Sequence, residues 1–214
     1  MGTCQAFCST FLSTSFFINR KLHKKKEAKR EYLNQRIADD VERYGGEVID
    51  SEEMRSAFEQ THHRWSTVGE HTIRVTVSSV MICYVLKKLH IKVNVPAVVV
   101  ASLCHDLGML GRYEKFSSGK ECSREHPKES VAVARELVSD MPEKTEDIIE
   151  RHMWPMGQAK APNSIEGIVV SVADKYNAVK DLVKGSEVNH TGVKNYVHEK
   201  GKKIQQHIHE KQLR

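Results

Sequence analysis

The stretch AVVVASLCHDL, from Ala97 to Leu107, decides how this chain folds. From Ala97 to Leu103 it carries one polar side chain, Ser102, and it then places a histidine and an aspartate side by side as His105-Asp106, ahead of Leu107 and Gly108. The Val-rich composition is compatible with a buried strand. The elements on either side have helical spacing, however, and Pro96 suits a first helical turn, so a buried helix is expected. A carboxylate at the end of such a helix costs several kcal/mol unless it is paired or bound to a metal. The pair His105-Asp106 is therefore the first candidate for chemistry.

Outward from this point the chain reads as helix after helix. Upstream, Thr67-Val-Gly-Glu70 has the pattern of a capping box and opens a long helix from about Val68 to Leu89. Its expected apolar stripe is Ile73, Val77, Val80, Met81, Tyr84 and Val85. Ser51 can cap a shorter helix ending near Gln60. Glu31 to Tyr44 carries Leu33, Ile37 and Val41 at helical spacing and is expected to stop at Gly45-Gly46. Downstream, Pro127 is read as opening a helix to about Val138, and Pro142 another to about Met153. Ser164 caps a further helix running to about Lys184, whose expected buried side holds Ile165, Ile168, Val169, Val172, Tyr176 and Val179. The tail from about Val193 to Arg214 reads as a basic, His-rich helix. No internal repeat is evident, and the whole is expected to be an all-α bundle.

Composition narrows the class. The 214 residues fit one domain with a real core and some peripheral helix, at 39% hydrophobic and 29% charged. A net charge of +5 favours anionic small molecules or nucleic acid as partners. The run RKLHKKKEAKR, residues 20–30, has the charge of a solvated arm or of a patch for polyanions. The five cysteines are odd in number and lack CxxC spacing, which points to a reducing, cytoplasmic setting rather than a disulfide framework. No apolar run reaches the roughly 18–20 residues of a spanning helix. Gly2 follows Met1, but Ala6 stands where a myristoylation motif needs Ser or Thr. No membrane association is expected.

Histidine is the unusual count, at 12. His71 starts the long helix, His105-Asp106 ends the Val-rich one, His126 precedes Pro127 at an expected helix start, and His152 closes the helix after Pro142. Asp174 lies mid-helix on a stripe with Gly167, Ser171 and Ala178, small residues that let another group approach. Each histidine alone has an ordinary explanation as a cap or dipole partner. Together, imidazoles and carboxylates are the ligand set for Zn, Mn or Fe, whereas Mg prefers oxygen shells. One divalent ion could use His71, His105, Asp106 and Asp174. A second could use His126 and His152, with Asp106 bridging and a metal-activated hydroxide as nucleophile.

The order His71, His105-Asp106, His126, His152, Asp174 on successive helices resembles the HD superfamily, named for its adjacent His-Asp pair. The strings Thr-Val-Gly-Glu-His-Thr (67–72), Cys-His-Asp-Leu-Gly (104–108) and Ile-Val-Val-Ser-Val-Ala-Asp-Lys (168–175) carry the resemblance, which spans Trp65 to Asp181 and is similar to small bacterial stand-alone members. It implies an all-α HD-domain helical bundle, one or two divalent metal ions, and hydrolysis of a phosphate ester, either a nucleotide or another small phosphorylated metabolite. The implied organisation is an irregular basic N-terminal arm (1–30), peripheral N-terminal helices (31–64), the HD domain (65–184) and a basic C-terminal helix (185–214).

The extra histidines resemble the two-metal branch, although Met109 stands where a Lys often follows the motif there. Residues 109–111, Met-Leu-Gly, lack the Glu of the mononuclear nucleotidase branch. Asp106, Glu70 and Lys175 are the catalytic candidates, Glu70 as a metal-site partner or proton shuttle. Arg64, beside Trp65, resembles a substrate-contacting pair. Arg112 and Lys115 are further candidates for neutralising phosphoryl charge. Tyr113 and Trp154 are candidates for base stacking or for packing. The same ligand set also occurs in di-iron oxygenases of the superfamily, and a non-catalytic nucleotide-sensing module is the remaining alternative. Nucleic acid and a second copy of the chain are possible partners.

Overall fold

The computed structural model describes residues 4–63, 66–156 and 158–183, and eight helices lie among them. Of the described residues, those up to Arg36 form one compact unit and those from Ile37 to Val183 a second. Helix α1 (Cys4–Ile49) belongs to both. Residues 4–30 were expected to be irregular, but they are helical. No Gly or Pro interrupts the chain between Cys4 and Tyr44, and Ser and Thr alone do not break a helix. The expected stop at Gly45-Gly46 also fails, because α1 runs on to Ile49. Gly45 is required there for a different reason. A Cβ on it would lie 2.1 Å from Leu103 Cδ1 and 3.1 Å from Val99 Cγ1, so the bare backbone lets α1 press against the Val-rich helix. The expected C-terminal helix, 185–214, lies outside the described residues.

The second unit is assembled from well-capped helices. Ser51 serves two elements, donating to the Val48 carbonyl (2.7 Å) and accepting from Met54 N–H (3.1 Å) to start α2 (Glu52–Glu59). A short antiparallel ribbon, β1 (Thr61–His63) with β2 (Ser66–Thr67), follows in the gap between the two expected helices, where no strand was expected. Thr67 then opens α3 (Val68–Lys88) through the full capping box with Glu70. Asn94 caps α4 (Val95–Cys104), whose Val98, Val99, Ala101 and Leu103 are wholly buried. The quoted stretch is thus a buried helix. It ends in a 3-10 turn at Leu107–Met109, followed by the four-residue α5 (Arg112–Lys115).

Helix α6 spans Gly119–Leu137 and starts earlier than expected, so His126 and Pro127 are interior positions rather than a helix start. Ser118 supplies the cap, accepting from Glu121 N–H at 3.2 Å. Pro127 has no N–H and leaves the Ser123 carbonyl without its helical donor, a local weakness the helix tolerates. Helices α7 (Glu143–Arg151) and α8 (Ile165–Val183) complete the bundle. Ser164 accepts from Gly167 N–H at the start of α8, as expected. Among the described residues no helix is long and apolar enough to cross a membrane.

Two apolar stripes turn out differently from the expectation. On α3, Ile73, Val77, Val80 and Tyr84 are buried, while Met81 and Val85 are exposed. On α8 the bulky Ile168, Val172, Tyr176 and Val179 face outward, and Val169, Val170 and Ala173 face inward with Ser171, Asp174, Asn177 and Asp181. The polar side of α8 is the buried one because its carboxylates have partners on α3, as the following distances show.

Candidate metal centre

The end of α4 aims the first two groups. His105 keeps helical backbone angles while Asp106 departs to φ −111° and ψ 3°, so the two neighbouring side chains converge instead of diverging. His71 comes from the first turn of α3, His126 from mid-α6, His152 from the C-terminal cap of α7 and Asp174 from α8. All six are buried.

Asp106 stands at the middle. Its Oδ2 lies 3.3 Å from His105 Nε2 and 3.9 Å from His71 Nε2, and Asp174 Oδ1 lies 3.0 Å from His71 Nε2 and 3.9 Å from His105 Nε2. Its Oδ1 faces the other way, 3.3 Å from His126 Nε2 and 3.6 Å from His152 Nε2. Two donor groups, His71-His105-Asp174 and Asp106-His126-His152, are therefore joined through one carboxylate.

The other ring nitrogen of each histidine is already committed. The Nδ1 atoms of His105, His126 and His152 each lie 2.7 Å from a backbone carbonyl, of Ser102, Cys122 and Ile149 respectively. His71 Nδ1 lies 3.1 Å from Asp181 Oδ2, and that carboxylate is itself held by Arg74 at 2.7 Å. His71 faces a carboxylate at each nitrogen, Asp181 at Nδ1 and Asp174 at Nε2, and so holds both protons in the metal-free protein; in the other three the carbonyl only accepts, so the proton sits on Nδ1 and Nε2 presents its lone pair to the centre. This is the tautomer a metal-ligating histidine requires.

Two observations test whether a cation fits. His105 Nε2 is fully buried and has no hydrogen-bond partner among the described residues. His126 Nε2 and His152 Nε2 face one another at 3.1 Å with both Nδ1 atoms on carbonyls, which sets two lone pairs head to head unless a positive charge lies beside them. A divalent ion satisfies both, and the nitrogen and carboxylate donors suit Mn, Fe or Zn.

The titration behaviour of the protein alone agrees with this design. Burial opposes charge on Asp106 and Asp174, but the surrounding histidines, with Lys175 for Asp174, hold both carboxyls well below the usual range. Burial would lower His71, yet Asp174 and Asp181, with Asp106 behind, carry it up to about 9. His152 is pushed down to about 4, by burial first and then by the His105 and His126 charges, against the pull of Asp106.

A cavity of about 640 Å³ opens onto Asp106, His126 and Asp174. Lys175 lies in its wall, with Nζ 2.6 Å from Asp174 Oδ2 and 3.0 Å from the His152 carbonyl. Arg112 also lines it, its guanidinium donating to the His62 carbonyl and the Tyr113 hydroxyl. Met109, Phe116, Met153 and Met156 make the wall largely apolar.

The remaining candidates fall elsewhere. Lys115 is exposed and is not part of the cavity wall. The Glu70 carboxylate accepts from Thr67 N–H at 3.1 Å, which engages it in the α3 cap rather than at the centre. Tyr113 is 80% exposed at the cavity, and Trp154 is 38% exposed and not in its wall, so neither is a core packing residue. Arg64 lies outside the described residues.

Two residues at the centre were not anticipated. Asp181 follows Asp174 by two helical turns, so their shared face was available as a signal. His62 Nε2 lies 3.4 Å from Asp106 Oδ2, and nothing in its sequence neighbourhood marks it beyond the doublet His62-His63.

A family model described as the HD domain matches residues 68–179. No curated protein and no solved structure matches the chain. The matched segment holds His71, His105, Asp106, His126, His152 and Asp174, while His62 and Asp181 lie just outside it. With more than half of its length matched, the chain belongs to the HD domain family, a superfamily of metal-dependent phosphohydrolases.

Proposed function

We propose that this protein hydrolyses a phosphate ester of a small metabolite, a nucleotide or a comparable compound, at a two-ion centre held by His71, His105, Asp106, His126, His152 and Asp174 within a catalytic domain spanning residues 65–184. The observation that carries this reading is the Asp106 carboxylate, whose two oxygens each face a separate pair of Nε2 atoms. Bound there, Mn, Fe or Zn ions supply Lewis acidity and lower the pKa of water from 15.7 toward about 7.

The side chains do the rest. Asp106 and Asp174 are ionised at neutral pH and hold negative charge on the floor of the cavity. Lys175 stands beside Asp174 at the wall, where its ammonium can meet a phosphoryl oxygen without losing its carbonyl anchor at His152. Arg112 brings a second cation to the same wall and is braced by Tyr113. Two fixed cations around an apolar, roughly ligand-sized space favour an anion with an apolar or aromatic body over a bare polyol. That weighs against an oxygenase acting on a polyol, whereas one acting on an anionic phosphonate shares the same requirement and is separated by the test below.

The test is phosphate release from mononucleotides, cyclic dinucleotides and sugar phosphates by protein loaded with Mn, Fe or Zn. At least one class is expected to turn over. Asp106→Asn should abolish that activity, and Lys175→Met should lower kcat/KM by about 100-fold. Oxygen consumption by the iron-loaded protein without phosphate release would establish the oxygenase instead. Nucleotide binding with neither activity would establish a sensing module.

A further inference from the structure

We infer that His62 is a fifth imidazole ligand of the metal centre, delivered from outside the family-matched segment by the β1–β2 ribbon. The inference rests on the proposed metal centre and adds a ligand to it. His62 Nε2 lies 3.4 Å from Asp106 Oδ2, the same oxygen that faces His105 Nε2 at 3.3 Å and His71 Nε2 at 3.9 Å. Three imidazole nitrogens thus approach one carboxylate oxygen, and His62 also falls in a donor group with His71 and Asp181.

The ring is held in that orientation. It stacks on His71 with centroids 4.5 Å apart and planes inclined by 26°. Its side chain is 8% exposed, and it forms part of the cavity wall next to Asp106. A histidine so nearly enclosed, with its Nε2 toward the carboxylate oxygen that His105 and His71 also approach, is placed as a ligand is placed.

The backbone beneath it is clamped to the segment that carries Asp106. Gln60 Nε2 donates to the Met109 carbonyl at 2.8 Å, and Gln60 Oε1 accepts from Gly111 N–H at 2.7 Å. Both terminal nitrogens of Arg112 donate to the His62 carbonyl at 3.3 Å. The Gln60 carbonyl accepts from Val68 N–H at 2.9 Å, tying the ribbon to the start of the helix that bears His71. Every anchor of His62 therefore leads to Asp106 or His71 within a few residues. A loop histidine that served only to fill space would need no such bracing. This arrangement keeps donor positions fixed to the fraction of an ångström that a metal site demands.

A different role, in which His62 only orients Asp106, would also weaken metal binding on mutation, so affinity alone does not decide. The deciding experiment uses full-length protein loaded with Co(II), with hyperfine-shifted, solvent-exchangeable imidazole N–H resonances counted by NMR. His71, His105, His126 and His152 account for four, and His62 adds a fifth. The wild-type protein is expected to show five, and His62→Gln four, with one of two Co(II) equivalents bound about 10–100-fold more weakly in a chelator competition. Two bound ions with four resonances in the wild-type protein would overturn the inference and leave the metal centre standing. No bound Co(II) at all would overturn both. Because the wild-type count needs no variant, the result holds even where His62→Gln fails to fold.

Discussion

Replacing Gly108 with alanine should damage this protein in a specific way. Gly108 follows the His-Asp pair by two positions and lies against α6 rather than in open space. A Cβ there would sit 2.4 Å from the His126 carbonyl oxygen, 2.4 Å from Ser130 N and 2.7 Å from Glu129 Cβ. Two of these atoms are helix backbone, which cannot rotate away, and ordinary contacts of this kind need about 3.5 Å. Relief therefore requires α6 to move by about 1 Å relative to the turn after Asp106. The hydrogen bond from Gly108 N–H to Ser130 Oγ, 2.9 Å, resists that movement. Overpacking of this kind costs about 1–3 kcal/mol, offset by about 0.4–1 kcal/mol from the stiffer unfolded chain.

The net loss of about 1–2 kcal/mol should lower Tm by roughly 3–6 °C in a chain of this size. The functional effect should be larger. His126 sits 3.3 Å from Asp106 and 3.1 Å from His152, and a displacement of about 1 Å exceeds the tolerance of a metal site. One metal equivalent should weaken sharply while the ion at His71, His105 and Asp174 is retained. Thermal denaturation of metal-free protein and metal titration of the same variant measure both effects. Unchanged Tm together with two tightly bound ions would refute the reasoning.

Other outcomes follow from the same geometry. Asp181→Asn removes the charged acceptor that fixes the His71 tautomer, and metal affinity in a chelator competition should fall about 10–100-fold. Thr67→Ala should cost about 1 kcal/mol by urea denaturation through loss of the α3 cap. Glu70→Gln can keep the capping box and should leave turnover within a few-fold of wild type, whereas a large loss of kcat would place Glu70 in the chemistry after all. In metal-free protein His71 is raised from 6.5 to about 9, so its contribution to stability is fully present below pH 6.5 and is lost as pH rises through about 9. Metal binding at pH 7 should therefore release a proton from His71, and titration calorimetry in buffers of different ionisation enthalpy should detect it.

Much of the fold was legible because caps and periodicity are local signals. Ser51, Thr67 and Ser164 mark the starts of α2, α3 and α8 through side-chain hydrogen bonds to residues within three positions. The Val-rich helix required an argument from its neighbours, since its composition alone does not separate helix from strand. The outward face of α8 was misread because hydrophobicity favours Ile168, Val172 and Tyr176, whereas the buried face is chosen by what Asp174 and Asp181 meet on α3. Pro127 was misread as a start because an interior proline is costly, and the Ser118 cap that places it mid-helix was overlooked.

Of the centre, the six ligand candidates were picked out by their order along the chain, and they lie together in space. His62 was hidden because its approach depends on the ribbon and on the Gln60 and Arg112 clamps, which join residues about fifty positions apart. Gly45 shows the same limit. Its sequence context reads as a helix stop, and only the contact with Leu103 reveals that it serves close packing.

The most direct test of the central claim is anomalous diffraction from crystals of manganese- or iron-loaded protein, beside elemental analysis of the same material. The account predicts two metal equivalents per chain and two peaks, one on each side of the Asp106 carboxylate, with His126→Ala losing the peak between Asp106 and His152. A single peak beside His71 and His105 that persists in His126→Ala, with one equivalent in both proteins, would contradict it.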